Sequence, residues 1–218
     1  MLETKKNVVI IDYNLGNLFS VKQACDAVGI KAKISTDKAQ IENADALILP
    51  GVGAFNEAMQ NLKELDLIDS IKNAVNKGTP IFGICLGLQL LFTKSEEFGS
   101  GNGLDLIPGV IKKIPYYYDE QKLKVPQIAW NNIYSYDGKW ADSPLFDVEE
   151  NEFMYFVHSY YVQPEDESCI LTKTNYCGLE YCSGILKGNI FAVQFHPEKS
   201  AQKGVSIYKN WATINDLI

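Results

Sequence analysis

The chain reads as an α/β protein built on an open, mostly parallel, doubly wound sheet that antiparallel strands extend. Three observations lead there. The first half alternates short apolar runs with stretches whose apolar residues recur at helical spacing. The second half is almost entirely strand-like, rich in β-branched and aromatic residues. No repeat, low-complexity stretch or Pro/Gly linker divides the 218 residues. Alternating strand and helix predicts parallel pairing with right-handed crossovers and helices on both faces, so residues 1–218 are expected to form one domain.

The elements follow in order. Asn7–Tyr13 (NVVIIDY) is a nearly continuous apolar run, as a strand buried on both faces requires. Past the Gly16-Asn17 turn, Leu18, Val21, Cys25 and Val28 recur at helical spacing and Gly29 ends the helix. Lys31–Ser35 and Ala46–Leu49 are the next strands, the latter closed by Pro50-Gly51. Helices are expected over Phe55–Leu65 and around Ile68, Ile71 and Val75, the second stopping at Gly78. Pro80–Cys85 is a further buried strand, with a helix over Leu86–Thr93 springing from it. Val110–Pro115, Lys124–Trp130, Glu152–Val162, Ser168–Cys177 and Ile190–Phe195 are strand-like, separated by turn signals such as Asp137-Gly138. A last helix spans Gly204–Ile218, with Ile207, Trp211, Ile214 and Ile218 on one face.

Composition narrows the function. The chain is 46% hydrophobic and 22% charged, and at this length it buries roughly 70% of the surface exposed when unfolded, so it needs neither disulfide nor metal for stability. Its net charge of −7 argues against binding nucleic acid or an anionic membrane, which takes a surplus of Lys and Arg. The opening MLETKKNVVIIDY lacks the apolar core and cleavage site of a signal peptide. The five cysteines are therefore expected to be reduced thiols of a cytoplasmic protein. With only two histidines, any imidazole chemistry must use His158 or His196.

Gly83-Ile84-Cys85-Leu86-Gly87 has the form G-x-C-x-G at a strand-to-helix junction, the nucleophile-elbow arrangement with Cys in place of Ser. The turn places sulfur at free helix N–H groups, where a thiolate is favoured and the N–H of Leu86 can face a developing oxyanion. A cysteine nucleophile needs a base. His196-Pro197-Glu198 follows a strand, and residues i and i+2 of extended chain share a side, so Glu198 can orient the imidazole of His196. His158 lies within a strand-like run with no acid beside it, which favours His196. Pro50-Gly51-Val52-Gly53 closes the neighbouring strand, and its backbone N–H groups can approach a substrate closely. No metal cluster or nucleotide fingerprint is present: Gly51-Val52-Gly53 lacks a third glycine, and Cys169, Cys177 and Cys182 do not have zinc spacing and are assigned with Cys25 to packing. Tyr116-Tyr117-Tyr118 reads as a solvent-shielded strand end rather than a partner patch.

Together, PGVGAF at 50–55, GICLGLQLLF at 83–92, FVHSYY at 156–161 and FHPEKS at 195–200 resemble the class I glutamine amidotransferases, and more narrowly the glutaminase subunits of imidazole glycerol phosphate synthase. The likeness extends from IDYNLGNLFSV at 10–21 to the final helix. It implies a flavodoxin-like sheet and a Cys85–His196–Glu198 triad that hydrolyses L-glutamine to glutamate and ammonia without a cofactor. It further implies an oxyanion strand at Gly51, Val52 and Gly53 that reorients, with Leu86 as the other donor. Glutamine contacts carry over to Gly53, Gln89, Glu97, Ser159 and Tyr160. The implied partner is a (β/α)8-barrel cyclase in a heterodimer, touched by Trp130, Asn131 and Lys199. The family commonly reads Pro-His-Met-Gly-Trp-Asn where this chain has Pro126-Gln127-Ile128-Ala129-Trp130-Asn131, and Thr93 stands where Glu is frequent. A paralogue feeding ammonia to another synthase, such as one aminating a surface-sugar precursor, is the alternative. A non-catalytic subunit would not need the intact Cys, His and Glu, and a peptide or acyl hydrolase would not explain Gln89, Glu97 and HSYY.

Overall fold

Val8–Ile11 forms strand β1 in the computed structural model, which describes residues 6–97 and 99–218. Residues 1–5 of the opening segment lie outside the described residues. Alternate side chains of β1 enter different cores: Val8 and Ile10 join one apolar cluster, Val9 and Ile11 another. The apolar run is continuous because both faces of the strand are covered. Helix α1 (Leu18–Ala27), strand β2 (Ala32–Ser35), helix α2 (Lys38–Glu42), strand β3 (Ala46–Gly51), helices α3 (Phe55–Glu64) and α4 (Ile68–Asn76), strand β4 (Ile81–Cys85) and helix α5 (Leu86–Leu90) follow. Asn17 caps α1 by accepting the Ser20 N–H at 3.3 Å. The strands pair in parallel in the order β2-β1-β3-β4.

The second half supplies β5 (Phe92–Ser95), β6 (Gly101–Asn102), β7 (Ile107–Lys113), β8 (Tyr117–Tyr118), β9 (Gln121–Lys122), β10 (Gln127–Ser135), β11 (Glu152–His158), β12 (Tyr160–Pro164), β13 (Ile170–Tyr176), β14 (Leu179–Lys187), β15 (Ile190–Val193) and helix α6 (Ala201–Ile214). Among the described residues the main sheet has thirteen strands, and β15 returns to lie parallel to β4. From β15 the sheet continues antiparallel through β14, β12 and β7. The expected parallel sheet with an antiparallel extension is thus observed.

Register brings the ends of three strands together. Gly51 of β3 lies opposite Cys85, and Val193 of β15 lies opposite Ile84, so the chain leaving β15 toward His196 runs beside the end of β4. The C-terminal edge of parallel strands is where open α/β sheets place their sites. Phe82, near the start of β4, packs the strand from one face, with its ring 4.7 Å from Phe191, 5.2 Å from Tyr208 and 5.5 Å from Trp211. Burying such a ring is worth roughly 2–3 kcal/mol, and the cluster seats α6, which begins just past Glu198, against the strand that carries Cys85.

Several local expectations are corrected. The helix read over Leu86–Thr93 ends at Leu90, because Phe92–Ser95 joins the sheet as β5 beside β7. The five-residue α2, too short to show a period, and β14 were not anticipated. β13 and β14 form a hairpin whose two loop residues, Cys177 (φ 51°) and Gly178 (φ 89°), are left-handed as in a type I′ turn. Cysteine rarely marks such a turn, and Cys177 is exposed rather than packed like Cys25, Cys169 and Cys182. The run 152–162 breaks at Ser159 into two strands with different partners. Helix α6 starts at Ala201 and ends at Ile214, short of the expected Ile218. On it Ile207 and Trp211 are buried and Ile214 is half exposed, and beyond it Leu217 turns inward while Ile218 is half exposed. Tyr116 and Tyr117 are exposed, contrary to a shielded strand end.

Candidate active site

Cys85 ends β4 with φ 54° and ψ −106°, a strained conformation for a side-chain-bearing residue. The sharp turn has the geometry of a nucleophile elbow, and its glycines have distinct reasons. A Cβ on Gly83 would lie 2.9 Å from the Ala192 Cβ and 3.2 Å from the Gly87 carbonyl carbon, whereas one on Gly87 would overlap the backbone carbonyl of Leu49 in β3. Gly83 therefore allows the elbow to close on itself, and Gly87 allows α5 to pack on the neighbouring strand. Since α5 has five residues, it offers sulfur free N–H groups more than a helix dipole.

His196 Nδ1 and Glu198 Oε1 lie 2.7 Å apart, with both side chains only 2% exposed. The pairing of residues i and i+2 is as expected, but a 3₁₀ turn over Pro197–Lys199 produces it rather than extended chain. Ser200 secures the turn: its hydroxyl donates to the His196 carbonyl at 2.6 Å and accepts the Tyr155 N–H at 3.0 Å. Nδ1 being engaged, Nε2 of His196 is buried and unpaired. Burial opposes charge on this imidazole, but its interactions with Cys85 and the Glu198 carboxylate outweigh that and hold His196 above the ordinary histidine range. An imidazole with one nitrogen fixed by carboxylate and the other free is built to exchange a proton.

The sulfur is bracketed by two groups that sequence reasoning missed. Cys85 Sγ donates to the Val157 carbonyl at 3.8 Å, and the amide of Gln194 donates to Sγ at 3.6 Å. A pocket of about 400 Å³ opens above, lined by Val52, Gly53, Cys85, Leu86, Gln89, Glu97, Pro126, Val157, His158, Ser159, Tyr160 and Lys199. Of the residues named from sequence for catalysis or substrate, Gly51, His196 and Glu198 are not on its wall. Gly51 lies at the end of β3, and the other two are buried.

Glu97 is held by the Phe55 N–H on Oε2 at 2.6 Å, and Asn56 binds its carbonyl at 2.9 Å. Burial pushes its carboxyl upward, partly offset by that N–H, and the second oxygen is the one available to a ligand ammonium. Gln89 donates to the Tyr160 carbonyl and to Gln194 Oε1, both at 3.0 Å. The Pro50-Gly51 segment is braced by Tyr13, whose buried hydroxyl donates to the Pro50 carbonyl at 2.7 Å and fills the space a Gly51 Cβ would need. Trp130 and Asn131 lie off the pocket on β10. Among the described residues no group of His, Cys, Asp or Glu has the arrangement of a metal site.

His158 lines the pocket but is no competitor for the base. Its Nδ1 lies 2.8 Å from the Tyr160 carbonyl and its Nε2 3.1 Å from the Tyr181 hydroxyl, which in turn sits 3.0 Å from the Gln127 amide. Complete burial pushes it down to about 4. Between pH 6.5 and 4 the unfolded chain then binds a proton that the native one refuses, so the native state loses stability as pH falls through that window. The unfolding free energy from urea titrations should drop there more steeply than in His158→Gln, by at most about 3 kcal/mol. Equal slopes would show that His158 titrates normally.

The pocket, the elbow and the His–Glu pair define a class of protein that the family comparison bears out. Residues 9–213 match the model of the class-I glutamine amidotransferases, and the chain belongs to that family. It is 45% identical over 207 residues to the imidazole glycerol phosphate synthase subunit HisH of Syntrophotalea carbinolica, covering 94% of this chain and 98% of that protein. It is 47% identical over 204 residues to the same subunit of Aquifex aeolicus, covering 93% and 94%. A crystal structure of a glutamine amidotransferase, 17% identical, superposes with a TM-score of 0.72 over 95% of this chain and 98% of its own, which shows the shared fold.

Proposed function

We propose that this chain is a glutaminase subunit of imidazole glycerol phosphate synthase, a single cytoplasmic domain that hydrolyses L-glutamine and passes ammonia to a (β/α)8-barrel cyclase. The observation that carries the reading is the buried His196–Glu198 pair, its Nε2 unengaged, placed by the β15–β4 register beside the strand end that bears Cys85. Cys85 gives its proton to Nε2, and Sγ bonds to the side-chain carbonyl carbon of glutamine. The negative charge that develops on oxygen is met by the Leu86 N–H and by N–H groups of the Gly51-Val52-Gly53 strand. When the C–N bond breaks, His196 returns the proton to the departing ammonia. His196 then takes a proton from water, whose oxygen attacks the thioester, and glutamate leaves as the thiol reforms. Glu97 pairs the substrate ammonium, while Gly53, Gln89, Ser159 and Tyr160 line its binding site.

The partner surface is argued from the outer face of the β10–β11 pair. Ile128, Trp130 and Phe153 are each at least half exposed, and register sets Trp130 opposite Tyr155 and Ile128 opposite Val157. Trp130 and Tyr155 stack edge-on at 6.1 Å, and Lys199 Nζ lies 5.9 Å from the Tyr155 ring centre. An apolar sheet face of this kind, continuous with the pocket through Val157 and Lys199, suits a protein partner. Gln127, where the chain departs from the common family residues, is fully buried, so of the first two altered positions only Ile128 changes the outer face. This supports the barrel partner over a paralogous one.

With cyclase and its acceptor ligand present, Cys85→Ala should lower glutamate release by roughly 10³-fold or more while the complex still forms. Retained turnover would refute the nucleophile. Trp130→Ala should weaken the complex by about tenfold or more, and unchanged binding would displace the proposed face.

A further inference from the structure

Gln194 is fully buried at the end of β15, its backbone N–H bound to the Ser183 carbonyl at 2.9 Å. A side-chain amide in such a place costs free energy unless both ends are paired. Here the site itself supplies both partners: Nε2 donates to Cys85 Sγ at 3.6 Å, and Oε1 accepts from Gln89 Nε2 at 3.0 Å. The second Nε2 hydrogen of Gln89 is taken by the Tyr160 carbonyl at 3.0 Å.

These bonds have a direction. A sulfur that is to become anionic has lone pairs to offer, so it calls for the NH₂ end of Gln194. The oxygen end then faces Gln89 and calls for the NH₂ end of that residue. With both hydrogens of its nitrogen committed, Gln89 has only Oε1 to present to the pocket it lines. We infer that Gln194 is a positioning residue that supplies a hydrogen bond to the nucleophile and, through the same amide, turns Gln89 so that the pocket offers an acceptor to an N–H donor of the substrate. The inference deepens the glutaminase reading and rests on it for the identity of the substrate. Glutamine carries two such donors, its ammonium and its carboxamide NH₂, and the glutamate product has lost the second.

Two substitutions separate the roles. Gln194→Glu still accepts from Gln89 but has no N–H for the sulfur. Gln194→Met keeps the length and removes both ends. In the complex with cyclase and acceptor ligand, Gln194→Glu should lower kcat by about 30-fold with KM for glutamine within about threefold, as loss of a hydrogen bond to a charged group predicts. Gln194→Met should lower kcat and also raise KM about tenfold, and adding Gln89→Met should raise KM little further, since one linked unit is already broken. Alkylation of Cys85 by iodoacetamide at pH 7, read on its peptide by mass spectrometry, should slow at least about fivefold in both variants. Wild-type kcat in the variants, or fully additive KM effects, would overturn the proposal. So would normal alkylation in folded variants, judged by near-ultraviolet circular dichroism. If one variant does not fold, the other still decides whether the sulfur needs the amide. Because alkylation requires no turnover of glutamine, it also separates failure of this inference from failure of the glutaminase reading, which an inactive wild-type complex would signal.

Discussion

Gly87→Ala should be among the most damaging single-methyl changes in the molecule. The added Cβ would overlap the Leu49 carbonyl oxygen, a backbone atom held in the ladder between β3 and β4, with Leu49 opposite Gly83. A flexible side chain can swing away from a new methyl group, but a carbonyl in a central parallel strand cannot without disturbing its pairing. Overpacking of this kind costs about 3 kcal/mol or more, a large share of the stability of any domain. The urea midpoint should fall accordingly, and glutaminase should fall with it because the retreat of α5 carries Cys85 out of line. Gly29→Ala is the control: its Cβ would meet open space, and only the strain of φ +87° opposes it, about 1 kcal/mol. A Gly87→Ala protein as stable as Gly29→Ala would show that the contact between α5 and β3 is loose.

Glu198→Gln should leave the fold in place and remove most of the chemistry. Glu198 accepts the Nδ1–H of His196 at 2.7 Å, so that whenever the ring is neutral its lone pair lies on the other nitrogen, Nε2. An amide can instead present its NH₂ to Nδ1, and the ring proton then moves to Nε2, where a base needs a lone pair. The loss in kcat should be about 10³–10⁴-fold, with KM little changed because Glu198 is off the pocket wall. A second readout follows from His196 being held above its ordinary range. Its contribution to stability is complete below about pH 6.5 and is lost as pH rises toward the raised native value. In Glu198→Gln the urea midpoint should vary less between pH 6.5 and 9 than in the wild type. Full activity in this variant would remove the carboxylate from the mechanism. An unchanged pH slope would show that Cys85 alone raises His196.

Both variants touch atoms whose importance was legible in different degrees. The elbow was readable because its geometry tolerates few residue types: a left-handed turn at Cys85 with glycine two positions to either side has a local signature. The reason for the second glycine was not readable, since it lies in β3, 38 residues upstream along the chain from Gly87. The His–Glu pair was likewise visible in three consecutive residues, although the 3₁₀ turn that forms it was not. Gln194 stands two residues before His196, yet its place against the sulfur depends on β15 lying beside β4, and that pairing joins segments more than 100 residues apart.

The sequence by itself determined the α/β class, the sharp turn at Cys85, the His196–Glu198 pair and the likeness to glutamine amidotransferases, because each rests on periodicity or spacing within a short stretch. Only the tertiary structure decided which strand ends meet, how Gln194, Gln89 and the Tyr160 carbonyl interlock, and that His158 is held neutral by burial. The same holds for the outer face of β10 and β11, where Trp130 meets Tyr155 across two strands. Those features come from register and desolvation, which are set by residues distant in the chain and by the water they exclude, and no local pattern records either.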